Sequence, residues 1–94
     1  MPEALSTNGT RTVHRYRVPV DDRPHTIELT SWPRHVASRT HGEVEFWAES
    51  DPRVTPEPIA FIVIGTGHTV PPGARYVGTA LAEFGLVWHL YEVR

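Results

Sequence analysis

Cysteine and lysine are both missing from this 94-residue chain. Without thiols there is no disulfide framework, no thiolate metal site and no cysteine nucleophile, which fits a cytosolic protein. Without lysine, all nine basic residues are arginine, a bias that a GC-rich coding sequence explains more simply than chemistry does. Long apolar runs are missing too. The longest, Ile59 to Ile64, is far too short to cross a bilayer. The opening MPEALSTNGT has neither the basic nor the apolar segment of an export signal, so no membrane association is expected. There is no cationic excess: the net charge is −2 with histidine neutral, which speaks against a general grip on nucleic acid. No stretch shows the apolar spacing of an amphipathic helix, and no internal repeat recurs.

What the chain does have is alternation. Residues 1–11 are polar and aperiodic and read as a flexible N-terminal tail, leaving residues 12–94 as a single β domain. In TVHRYRVPV, His14, Tyr16 and Val18 alternate with Val13, Arg15 and Arg17, so Arg11, Arg15 and Arg17 point one way from a first strand. HTIELT is a half-buried second strand, Ser31-Trp32-Pro33 a corner, and RHVASRTH a weak third strand. EVEFWAES places Val44, Phe46 and Ala48 on one face and Glu43, Glu45 and Trp47 on the other, the two glutamates as ordinary solvent-facing residues. Three prolines in Asp51 to Pro58 make that segment an exposed connection. IAFIVI is apolar on both faces and reads as a covered central strand. At Glu83-Phe84-Gly85 a turn folds Leu86 to Val93 back onto Tyr76 to Ala82. The expected architecture is all-β, a compact antiparallel β-sandwich or partly open barrel of six to seven short strands.

Candidate chemistry is sparse. Gly65-Thr66-Gly67-His68 closes a strand with two glycines, which would let successive amides face an anion; Tyr76 and Trp88 could supply a stacking surface beside it. Neither a phosphate-binding loop with lysine nor a dinucleotide fingerprint accompanies it, so a plain tight turn is the competing account. The six histidines, His14, His25, His35, His41, His68 and His89, show no ligand spacing, and neither a metal nor a cofactor is expected. No serine or threonine sits in a nucleophile context, so no catalytic residues are expected. Arg15, Arg17, Trp32 and Trp47 are the candidates for a protein interface, since arginine and tryptophan are enriched where proteins meet.

The motifs GTGH (Gly65 to His68), YVGT (Tyr76 to Thr79) and VWHLYE (Val87 to Glu92), with HRYRV, HTIELTSWP and EFWAES before them, resemble a family of small uncharacterised proteins of tailed phages and prophages. The likeness covers most of Val13 to Val93 and departs from the family pattern at RHVASRTH. It implies a non-enzymatic accessory protein of the host cytoplasm that binds a host protein, with homo-oligomerisation possible. A nucleotide sponge acting through Gly65 to His68 is the alternative.

Overall fold

The computed structural model describes residues 10–93. Of the tail expected over residues 1–11, residues 1–9 therefore lie outside the described residues. Seven strands follow: β1 (Thr12–Pro19), β2 (His25–Leu29), β3 (His35–Ala37), β4 (Glu43–Ser50), β5 (Glu57–Gly65), β6 (Arg75–Leu81) and β7 (Val87–Val93). They form two antiparallel sheets, one in the order β1-β4-β3 and one in the order β2-β5-β7-β6. The sandwich is not closed into a barrel. No α-helix occurs among the described residues, and no helix is long and apolar enough to cross a membrane.

Period-2 alternation decides which side chains go inside. Val18, Val44, Phe46 and Ala48 from the three-stranded sheet meet Leu29, Phe61, Val63 and Leu90 from the other, all of them at most 2% exposed. Phe46 sits at the centre, 4.9 Å from the Phe61 ring and 5.1 Å from the Tyr16 ring. Burying a side chain of this size stabilises the fold by about 1.5–3 kcal/mol, and burial of this set is what holds the two sheets together.

The sheets also meet at one seam, where β3 lies against β6. A Cβ placed on Gly78 would come within 2.5 Å of Val36 Cγ2 and 3.0 Å of Val36 Cβ, so only glycine permits this approach. The register of β6 on β7 shifts between Tyr76 and Gly78, a bulge that brings Gly78 opposite Leu90 on the inner face. The weak third strand of the sequence reading is real but only three residues long.

The final hairpin turns at Glu83–Gly85, as its sequence predicts. Leu86 N–H bonds the Glu83 carbonyl, and both central residues are left-handed, Phe84 at φ 60° and Gly85 at φ 73°. This turn type matches the twist of a β-hairpin, but its first central position normally holds asparagine, aspartate or glycine. A phenylalanine there is strained, and the Phe84 side chain is 87% exposed.

Candidate functional site

Arg15, Arg17 and Trp47, named from sequence as interface residues, come together on the outer face of the three-stranded sheet. Pairing places Arg15 beside Trp47 and Arg17 beside Glu45, while His35 flanks Trp47 from β3 with its ring 5.9 Å away. Arg11, Arg15 and Arg17 do point one way, each toward a glutamate of β4: Arg11 to Glu49 at 2.8 Å, Arg15 to Glu45 at 3.2 Å and Arg17 to Glu43 at 3.9 Å. Arg39 lies over the same face, its guanidinium 5.2 Å from the centre of the Trp47 ring. Arg34 reaches it as well, lining a shallow cleft with Val13, Trp47 and Glu49.

Glu45 corrects the expectation that the β4 glutamates are ordinary solvent-facing residues. Its side chain is 1% exposed on a face that no second sheet covers. Arg39 donates to both its oxygens, Nε to Oε1 at 2.7 Å and Nη2 to Oε2 at 3.2 Å, and Arg15 adds a third hydrogen bond. The Arg39 hydrogen bonds hold the Glu45 carboxyl below the ordinary glutamate range, outweighing the desolvation that pushes it up; the charges of Arg39, Arg15 and Arg17 add to the lowering. The arginines lie over the carboxylate like a lid. Alternation along β4 could not reveal this, because the covering guanidinium comes from the turn after β3.

Trp32 lies elsewhere. Its ring carries the Arg75 guanidinium 3.9 Å from its centre and lines a different cleft with Leu29, Val54 and Ile59. A cation stacked on the indole occupies one of its faces, so Trp32 does not extend the Arg15–Trp47 surface.

The Gly65 to His68 segment is a tight turn. His68 N–H bonds the Gly65 carbonyl at 3.0 Å, and Gly67 takes φ 89°, the type II pattern that needs glycine at its third position. One of the amides expected to face an anion is therefore already used. Around the turn, His68, Val70, His89 and Tyr91 line an open cleft of about 200 Å³. The His89 ring is held on both sides, Nε2 to Thr66 Oγ1 at 2.8 Å and Nδ1 to Thr79 Oγ1 at 3.0 Å, and Tyr76 OH meets Thr79 Oγ1 at 2.6 Å. Of the expected stacking residues, Tyr76 thus joins the outer face through Thr79. Trp88 does not. It points to the inner face beneath Gly65, where a Cβ would be 3.3 Å from its ring, and lines another cleft.

That cleft, about 260 Å³, opens between the β3–β4 and β6–β7 turns and is lined by Val20, Arg39, His41, Glu83, Leu86 and Trp88, among others. Both clefts fall below the roughly 300–1,000 Å³ usual for small-molecule sites. No group of three or more histidine, aspartate or glutamate side chains placed to hold a metal occurs among the described residues. The sequence reading missed this cleft and the exposed tip beside it, where Leu81 is 78%, Phe84 87% and Leu86 41% exposed. Their signal was present in the chain: three large apolar residues around a hairpin turn that favours polar ones.

These features define an all-β sandwich domain whose most developed surface is a charged, aromatic-bearing sheet face rather than an enclosed pocket. Residues 9–94 match the family described as "Domain of unknown function (DUF7352)", and the chain belongs to that family. Neither a curated protein nor a solved structure matches it.

Proposed function

We propose that this domain works by binding another protein through the outer face of its three-stranded sheet, without chemical turnover. The observation that carries the reading is the gathering of Arg15, Arg17, Arg39 and Trp47 on one exposed face. Arginine and tryptophan are the residues most often found to dominate protein-binding energy. Five arginines (Arg11, Arg15, Arg17, Arg34, Arg39) meet three glutamates there in a chain of net charge −2, so this face is locally basic and the rest of the surface acidic. Such polarity steers a partner onto one side of the molecule.

The resemblance to small tailed-phage and prophage proteins supports a host protein as the partner and the host cytoplasm as the setting. Trp47→Ala and Arg17→Ala remove side chains that point away from the core. Each should leave the melting temperature close to wild type and lower capture of a host protein, measured by quantitative mass spectrometry of affinity pull-downs, by about tenfold or more. Undiminished capture by the doubly substituted protein would refute the assignment of this face.

A further inference from the structure

We infer that the free edge of β1 accepts an acidic, extended segment of the partner, which joins the three-stranded sheet as an added strand. The inference rests on the reading of this face as the protein-binding face and specifies how it binds.

The four edge strands are not equally protected. β3 is three residues long, β6 is bulged and lies against β3, and β2 has five residues. β1 has eight, runs in unbroken register with β4, and has no strand on its other side among the described residues. Long, regular edges of this kind are templates for strand addition.

The hydrogen-bond pattern says which groups face outward. Val20 N–H bonds the Gly42 carbonyl, so by alternation the even-numbered residues of β1 bond β4. The carbonyls of Trp47 and Glu49 agree, since they turn the other way and accept from Arg34 N–H and Ser31 Oγ. The N–H and C=O groups of Val13, Arg15 and Arg17 therefore form the open edge. Pro19 has the same outward phase, where a missing N–H costs nothing, and it ends the edge.

Side chains choose the occupant. On the outer face an added strand would find Arg15 and Arg17 beside it, 45% and 60% exposed, with Glu45 already held by Arg39 through two bonds. Acidic residues at alternate positions of the added strand, opposite them, would complete the pairing across the new ladder. A second copy of the chain fits poorly. Any antiparallel β1–β1 register that keeps faces matched brings outward arginines opposite or diagonal to one another, which is destabilising.

The probe is a fluorescent octapeptide alternating glutamate and valine, with a lysine-for-glutamate version as its control. Titration of the full chain should show saturable binding of the glutamate peptide and none of the lysine peptide. Saturating glutamate peptide should slow amide exchange at Val13, Arg15 and Arg17 by about tenfold or more, as expected of newly made ladder bonds. Val13→Pro, which removes one outward N–H and leaves the bonds to β4 in place, should weaken binding about fivefold or more; Arg15→Ala with Arg17→Ala should weaken it about tenfold.

No binding of the glutamate peptide, or equal binding of both, overturns the inference. Binding without protection of the three amides overturns strand addition yet leaves the protein-binding face standing. A dimer in sedimentation with those amides protected in protein alone also overturns it, since a second copy would hold the edge. Failure of the reading itself is seen separately, as undiminished host-protein capture by the Trp47 and Arg17 variants.

Discussion

The two outer faces of this sandwich solve the same problem by opposite means. Each has a central strand whose outward residues are shielded although no further layer covers them. On the three-stranded sheet the shielded residue is Glu45, 1% exposed beneath Arg39 and Arg15. On the four-stranded sheet the shielded residues are Ile62 and Ile64, each 7% exposed, with Tyr91 and His89 as their cross-strand partners on β7. That second face is held by side-chain hydrogen bonds from Tyr76 through Thr79 and His89 to Thr66. One face is therefore ionic, sensitive to salt, and rich in donors for a charged partner; the other combines apolar side chains with polar ones that bond one another. The difference teaches that a buried position on an outer strand face says little about binding until its cover is identified.

The comparison can be broken most strongly at the seam that joins the two sheets. Gly78→Val puts branched carbon where Val36 already lies, with the first added atom at 2.5 Å, and should destabilise the domain by about 3 kcal/mol in urea unfolding. Pairing it with Val36→Ala should recover a substantial part of the loss; no recovery would place the strain elsewhere.

A smaller effect is expected from erasing the ionic character of the first face. Glu45→Gln removes the charge from three hydrogen bonds whose arginine partners remain partly solvated, and should cost about 2 kcal/mol at neutral pH. The pH dependence has a definite sign. Glu45 has its folded carboxyl below the ordinary value of 4.5, so its contribution is complete above that value and is lost as pH falls through the folded one. The stability gap between wild type and Glu45→Gln should stay flat from neutrality down to about pH 5 and close in stronger acid. A gap that widens on acidification would contradict the assignment. Asp21 and Asp51 are lowered chiefly by side-chain hydrogen bonds, to His25 and Arg53 respectively, and lose their contributions in the same acid direction, in both proteins alike.

The smallest effect concerns the tip beyond the second face. Phe84→Gly relieves a left-handed phenylalanine whose side chain is almost wholly in water, and should change stability by less than about 1 kcal/mol, toward the more stable side. A loss above that value would show that Phe84 makes a stabilising contact.

Much of this was legible along the chain. Strand alternation placed Val44, Phe46 and Ala48 inward and Arg11, Arg15 and Arg17 together outward, because a period of two needs no knowledge of the partner strand. The covered character of Ile59 to Ile64 was legible from its apolar residues on both faces. Glu45 was not, since its cover is Arg39, six residues away around a turn. The settings of Trp32 and Trp88 were not legible either: Trp32 stacks with Arg75 away from Trp47, and Trp88 lies opposite Gly65 but on the inner face. A tryptophan's neighbours are set by which sheet its segment joins, and Trp32 lies in the corner where the chain crosses between sheets.

The amino-acid order by itself determined an all-β domain, the alternation of side chains along its amphipathic strands and the sites of its turns, because these follow from local sterics and hydrophobic alternation. Only the tertiary structure decided that Glu45 is buried under arginines, that Gly78 meets Val36 and that β1 is the long open edge. Those depend on how strands far apart in the chain are ordered within each sheet, and strand order is chosen by the packing of the whole core.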